Sequence, residues 1–270
     1  MAEAVDRSKM AEVRQIKILH LYHDLMNLYG DWGNVAVLEH ELNRRGCDVL
    51  ADKKSVGDDI DFSVYDFIYI GSGTERSLVA CMRDLERYKD VFLERIEAGV
   101  PVLATGNSHE LFGRGVTDCD GVRHEMLGLL DFETEQQFKR VTGDCICVVK
   151  PPFSQDKLVG FINRAGGGQI GDVSRPFSVK PGIGAGFQAH EEGIVYKNLL
   201  GTYLTGPLLV RNPPMMRYFA DMLTGEVVAG SGAVINGAEP PPGSAEPPPG
   251  DAFCMYQEKA YLAALDELKK

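Results

Sequence analysis

The fold of this chain is decided by the stretch Pro101-Val-Leu-Ala-Thr-Gly-Asn-Ser-His-Glu-Leu-Phe-Gly113. Val100 to Ala104 is a short apolar run typical of a buried strand, Gly106-Asn107 supplies a turn, and Ser108 to Phe112 predicts the first turn of a helix. A sharp strand-turn-helix presents one residue at its tip, where many hydrolases place a nucleophile. The tip residue here is Gly106, which has no side chain. An ordinary strand-to-helix connection would have the same local pattern, so the rest of the chain is needed to tell such a connection from a hydrolase-like elbow.

Strands and helices alternate ahead of this turn. Apolar runs predict strands at 15–21, from 48 and at 67–70, and helical periodicity predicts helices up to Arg45 and around 77–85 and 88–98. Such alternation favours a doubly wound α/β fold with a mainly parallel sheet. Ligands collect at the carboxyl ends of parallel strands. The loops Asp24–Asn34, Gly71–Arg76 and Thr105–His109 are therefore expected to converge.

The composition shifts in the second half. Strands are predicted at 141–149, at 157–161 and in the run that ends at Gly206-Pro207, and a helix at 213–223. We interpret 1–15 as a polar extension, 16–224 as one domain, 225–250 as a Gly/Pro-rich linker and 251–270 as a helix. That last helix could dock on a partner or back onto the domain, and a frayed terminus fits the pattern equally well.

The overall composition is that of a globular protein, with 44% hydrophobic and 25% charged residues. A net charge of −11 disfavours nonspecific binding to nucleic acid and to anionic membranes. No apolar run is long enough to span a membrane, and the first residues lack a signal-peptide core, so a cytoplasmic location is expected. The six cysteines have no zinc-ligand spacing, so we expect reduced thiols and no metal site.

Several stretches together resemble class I glutamine amidotransferase domains of the cobyric-acid-synthase-like type, and most of all the glutaminase subunits of lipid II isoglutaminyl synthase. The resemblance runs in order from about residue 16 to 224. It rests on the segments 24–34, 70–76, 101–113, 127–134, 140–144 and 196–209. We therefore expect the amidotransferase-like fold over this range.

This resemblance implies a chemistry and a partner. In the family, an elbow Cys attacks the side-chain amide of glutamine, a His acts as acid and base, and backbone N–H groups hold the oxyanion. The matching oxyanion loop here is Gly71, Ser72 and Asn107, and Arg140 matches a residue that contacts glutamine or its passage. The released ammonia passes to a Mur-ligase-like subunit, which would carry the ATP and Mg²⁺. No cofactor is expected in this chain.

The departures from the family pattern lie at the chemistry itself. Gly106 stands at the position of the nucleophilic Cys, and Thr205 at the position of the catalytic His. Ser108 and His109 adjoin the tip, but consecutive residues at a helix start point in different directions and make no triad. Two interpretations remain open: a subunit of a lipid II-amidating enzyme that is expected to have lost glutamine hydrolysis, and an inactive pseudo-amidotransferase that acts as a scaffold or senses a ligand.

Overall fold

The structure is a computed structural model that describes residues 13–150, 153, 157–167, 170–179, 190–225 and 252–268. The first twelve residues and the predicted linker from residue 226 onward lie outside this range. No helix within it combines the length and apolar character needed to cross a bilayer.

The α-helices are α1 (Trp32–Arg44), α2 (Glu75–Leu85), α3 (Lys89–Glu97), α4 (Leu208–Arg211), α5 (Pro213–Thr224) and α6 (Ala252–Glu267). The strands are β1 (Gln15–Leu21), β2 (Asp48–Lys54), β3 (Phe67–Ile70), β4 (Val102–Thr105), β5 (Gly115–Thr117), β6 (Arg123–Glu125), β7 (Phe132–Val149), β8 (Lys157–Gly166), β9 (Ile170–Gly171), β10 (Phe177–Val179), β11 (Glu191–Glu192), β12 (Ile194–Tyr196), β13 (Leu199–Thr202) and β14 (Leu204–Thr205).

The first sheet has the order β12-β13-β4-β3-β1-β2 and is parallel except at its β12 edge. Successive side chains of its strands point to opposite faces, so each strand contributes to two cores. Ile18 of β1 packs with α1 and α5 on one face, whereas Leu19 packs with α2 and α3 on the other. Both faces of the parallel sheet are covered by helices. The predicted doubly wound α/β fold is therefore confirmed.

The second sheet is largely antiparallel and is built around the long strand β7. Its partner β8 pairs with it from Gln136 to Val148, with a register shift between Gln136 and Val141. The two strands are longer than the apolar runs predicted, because β7 also includes a largely exposed polar stretch before Cys145 and β8 continues through polar residues after Phe161. β14 joins this sheet by pairing Thr205 with Phe161 of β8. The chain after β13 thus crosses from the first sheet to the second.

The segment after β4 differs from the sequence-based prediction. Gly106 to Phe112 forms 3₁₀ turns rather than the start of an α-helix, and the backbone becomes extended at Gly113. A Cβ at Gly113 would lie 2.7 Å from the Phe132 ring and 2.8 Å from the Phe132 carbonyl oxygen. The arriving strand β7 therefore meets the chain at this point, and a continued α-helix would collide with it.

α6 packs on its own domain. Leu265 contacts Ile146 and Val159, and the Gln257 amide donates to the carbonyl oxygens of Leu209 and Val210 at 3.3 and 2.9 Å. Those carbonyls belong to the last turn of α4, where no intrahelical donor reaches them. Of the two docking sites that the sequence left open for this helix, the described residues occupy the one on the domain.

Candidate active site

Three loops meet at the carboxyl edge of the parallel sheet. The Leu28 amide donates to the Ser72 carbonyl at 2.9 Å, which joins the loops after β1 and β3. A Cβ on Gly71 would lie 2.6 Å from Asp31 Cβ, so only glycine allows this approach. The Gly73 amide donates to Asn107 Oδ1 at 2.9 Å, which brings in the loop after β4. Gly71, Ser72, Gly106 and Asn107, far apart in sequence, are neighbours here.

Gly106 sits directly against Ser72. Its φ of +66° is a left-handed conformation that suits glycine. A Cβ built on Gly106 would lie 2.6 Å from Ser72 Cβ and 3.2 Å from Ser72 Cα, and closer still to Ser72 Oγ. The Ser72 hydroxyl lies 3.3 Å from both the Thr105 carbonyl oxygen and Asp31 Oδ1. The space in front of the elbow is therefore filled by a side chain of the opposite loop.

The side chains of the two residues after the tip, Asn107 and Ser108, form hydrogen bonds with the protein backbone. Asn107 uses its amide oxygen to accept the Gly73 N–H, which joins it to the loop after β3. The Ser108 hydroxyl is buried and lies within hydrogen-bonding distance of the carbonyl oxygens of Ile70 and Thr105, at 3.0 and 2.9 Å. It faces no base at these distances. The hydroxyl is thus a structural donor between two strand ends.

Thr205 lies in the second sheet, beyond the end of β13. β13 pairs in parallel with β4, and Thr202 at the end of β13 lies opposite Thr105 at the end of β4. Thr205 therefore follows the strand that neighbours the elbow strand. Its side chain is buried and its hydroxyl donates to the Phe161 carbonyl at 3.1 Å. A threonine hydroxyl does not titrate near neutral pH, so it cannot take up and return a proton as an imidazole does.

Arg140 joins the loop after β3 to the β7–β8 hairpin. Its guanidinium forms an ion pair with Glu75 at 2.5 Å and donates to the side chain and backbone oxygens of Asn163 at 2.7 and 2.9 Å. Glu75 begins α2, just after the Gly71 loop. Arg140 thus borders the predicted site, and in this structure its donors are bound to protein oxygens.

A buried carboxyl beneath the loops was not singled out from the sequence. Asp31 is fully buried and its Oδ1 lies 3.3 to 3.4 Å from the hydroxyls of Ser72, Thr105 and Tyr69. Burial raises the pKa of Asp31, although the Tyr29 amide and the surrounding hydroxyls oppose that shift. An acidic residue inside the motif at 24–34, just ahead of an apolar helix, was the available signal.

Two further buried carboxyls flank Tyr203. Its hydroxyl donates to Glu110 Oε1 at 2.7 Å, and its backbone N–H donates to Glu192 Oε1 at 2.5 Å. Burial raises the pKa of both Glu110 and Glu192 to about 7. The Arg164 guanidinium stacks 5.0 Å from the centre of the Tyr203 ring, which supplies a nearby positive charge. The only local sign of this cluster in the sequence is an acidic residue, Glu110, within the otherwise apolar end of the 101–113 stretch.

His109 belongs to the same buried cluster and cannot act as a base at the tip. Its Nδ1 donates to the Gly106 carbonyl at 2.7 Å, and its ring meets the edge of Tyr203 at 4.0 Å between centroids. Burial lowers the pKa of His109 to about 3. Among the residues described, no group of three His, Cys, Asp or Glu side chains is arranged to hold a metal ion. His109 is thus held by the Gly106 carbonyl, and Gly106 itself carries no side chain.

Comparison with known proteins covers this whole region. Residues 17–213 match the CobB/CobQ-like glutamine amidotransferase domain. The chain is 34% identical over 209 residues to the lipid II isoglutaminyl synthase (glutamine-hydrolyzing) subunit GatD of Staphylococcus aureus, across 77% of this chain and 84% of that protein. It is 35% identical over 202 residues to the same subunit of Streptococcus pneumoniae, across 73% of this chain and 76% of that protein.

Among solved structures, the glutaminase domain of Trypanosoma brucei CTPS with bound acivicin aligns with 80% of this chain and 96% of its own. The TM-score is 0.44 and the sequence identity 9%, and we infer nothing further from that likeness. The matched residues 17–213 include the three loops, Arg140 and Thr205.

Proposed function

This chain belongs to the CobB/CobQ-like glutamine amidotransferase family, and from that premise we propose that it is an amidotransferase-like subunit of a complex that amidates peptidoglycan precursors, and that it does not itself hydrolyse glutamine. The first part is supported by the two curated relatives, each a subunit of lipid II isoglutaminyl synthase. The second part, the loss of glutamine hydrolysis, depends on the residue at the elbow tip. Under this proposal the chain is a pseudoenzyme within an enzyme complex.

The observation that carries the proposal is Gly106 at the elbow tip. Hydrolysis of a carboxamide by this family begins when a thiolate attacks the carbonyl carbon and a proton is delivered to the leaving nitrogen. Ammonia then departs from the tetrahedral adduct and leaves a thioester, which water hydrolyses to the free acid and the thiol. Gly106 offers no thiol. Thr205, which holds the Phe161 carbonyl, offers no imidazole for the proton. Loss of a nucleophile of this kind costs several orders of magnitude in rate.

Other thiols do not replace the missing one. Cys81 lies on the buried face of α2, and burial together with Asp24 and Asp84 raises the pKa of its thiol to about 12. Cys119 also has a raised pKa, and it lies in the turn between β5 and β6. A thiol with a raised pKa holds little thiolate near neutral pH and is a poor nucleophile. Cys81 and Cys119 are therefore poor replacements for the thiol that Gly106 lacks.

The partner in this proposal is a Mur-ligase-like subunit that binds ATP and Mg²⁺ and takes free ammonia. Because that reaction consumes ATP, we place the complex in the cytoplasm. The domain 16–224 would serve as a scaffold for the partner, and the Gly71 loop with Arg140 would be retained parts of the ancestral glutamine site. Arg140 supports a structural role of this kind, since it holds Glu75 and Asn163 together.

The nitrogen source of the complex tests the proposal. We expect the chain, copurified with its ligase partner, to amidate lipid II in the presence of ammonium chloride and ATP, and not in the presence of glutamine and ATP. The control is the same complex given both nitrogen sources, which should match ammonium alone. Amidation that glutamine supports as well as ammonium would refute the loss of hydrolysis. A ligase that neither copurifies nor responds would refute the partner.

A further inference from the structure

We propose that Ser72 and Asn107 form an internal plug that occupies the elbow and makes glycine obligatory at position 106. The plug joins the loop after β3 to the loop after β4, the two segments that would enclose a reacting carboxamide. This inference rests on the proposed function, since it takes Gly106 for the nucleophile position. It adds that L-glutamine does not bind at the elbow, because side chains of the protein already fill that space.

Ser72 supplies the first half of the plug. A Cβ at Gly106 would lie 2.6 Å from Ser72 Cβ, a distance that real carbon atoms do not adopt. Rotation about χ1 can move Ser72 Oγ but leaves its Cβ fixed to the backbone, so side-chain flexibility does not relieve the overlap. With Ser72 reduced to glycine, the nearest remaining atom would be its Cα at 3.2 Å. That contact is tight, and a shift of a few tenths of an ångström relieves it.

Asn107 supplies the second half. Its Oδ1 accepts the Gly73 N–H at 2.9 Å, so that its side chain is held across the gap between the elbow and the loop after β3. Its Nδ2 is buried and has no hydrogen-bond acceptor among the described residues. The Asn107 side chain is therefore held in the loop by packing and by one hydrogen bond, and not by hydrogen bonds to both ends of its amide. A buried donor without a partner is the cost of closing the site in this way.

A double-mutant cycle on the full chain tests the Ser72 half. The variants are Gly106→Ala, Ser72→Gly and both together, and the readout is the melting temperature. Gly128→Ala is the matched control, because Gly128 has a φ of +69° and nothing within 4 Å of its Cβ. The control measures the backbone strain of alanine at a left-handed position without any overlap.

We expect Gly106→Ala to lower the Tm by about 5 °C or more beyond the loss seen for Gly128→Ala. In the Ser72→Gly background, the loss should shrink to about that of Gly128→Ala. Equal losses in both backgrounds, or no excess over the control, would overturn the plug. Should Gly106→Ala fail to fold, recovery of folded protein in the double variant supports the proposal, and failure of both overturns it.

Glutamine binding tests the consequence. We expect millimolar L-glutamine to leave the Tm of the unaltered chain unchanged, because a ligand that binds the folded state raises it. A saturable rise with L-glutamine and not with D-glutamine would overturn the plug. The melts do not depend on turnover. Detectable hydrolysis by the unaltered chain would therefore refute the proposed function separately, without changing the outcome of the mutant cycle.

Discussion

Replacement of Glu110 by glutamine should stabilise the protein at neutral pH and change how its stability depends on pH. Burial raises the pKa of Glu110 to about 7 from the model-peptide value of 4.5, even though Tyr203 and Gln136 donate to the carboxylate. The folded-state pKa is above the unfolded one, so the folded state binds the proton more tightly. The stability that this provides is complete below about pH 4.5 and is lost as the pH rises to 7.

The size of the effect follows from the difference between the two pKa values. A difference of about 2.5 pH units corresponds to about 3 kcal/mol of unfolding free energy lost between pH 4.5 and pH 7. Glutamine has nearly the same shape, carries no charge at any pH, and can still accept the Tyr203 hydroxyl through its carbonyl oxygen. Removal of the penalty should raise the Tm by about 6 to 12 °C at pH 7 and by little at pH 4.5.

Denaturant unfolding of the two proteins from pH 4.5 to pH 8 measures this directly. The variant should gain about 1.4 kcal/mol of unfolding free energy per pH unit over the unaltered chain, up to about pH 7, and nothing more above it. Glu94→Gln, at an exposed position of α3, controls for the loss of a carboxylate as such. Parallel stability curves for Glu110→Gln and the unaltered chain would refute the argument from burial.

Two further substitutions probe other parts of the fold. His20→Phe should protect the chain from acid. Burial, with His23 and Lys53, lowers the pKa of His20 to about 4. The stability that the neutral His20 contributes is therefore present above pH 6.5 and is lost as the pH falls to 4. Unfolding at pH 5 should then be less favourable than in the unaltered chain by about 2 kcal/mol, and an unchanged acid profile would contradict this. Leu265→Asp should release α6, because it places a carboxylate against Ile146 and Val159, and trypsin should cleave faster at Lys259. Leu262→Asp, on the exposed side of the same helix, is its control and should leave the cleavage rate unchanged.

The parallel half of the fold could be predicted from sequence because its signals are local. β1 and β3 are short apolar runs, each followed by a loop and an amphipathic helix, and this order fixes a doubly wound sheet. The convergence of three loops at one edge follows from the same geometry. The resemblance to the family identifies position 106 as the elbow tip, and the sequence then shows directly that this position has no side chain.

The rest depends on contacts between distant residues. No local pattern states that Ser72 packs on Gly106, since the two are far apart in the chain and come together through the pairing of β3 with β4. The 3₁₀ turns after Gly106 were missed because Phe132, in another sheet, ends the segment. The pKa values of Glu110 and Glu192 are set by burial, which a single sequence does not report. Propensity predicts elements, whereas packing decides what a site can hold.

Ammonia release from L-glutamine by the purified chain tests the central claim most directly. The chain should be assayed alone and with its ligase partner, against a buffer blank. Because neither Gly106 nor Thr205 can supply the thiol or the imidazole, the account predicts release at the level of the blank in every case. Sustained release that scales with the concentration of the unaltered chain would contradict it.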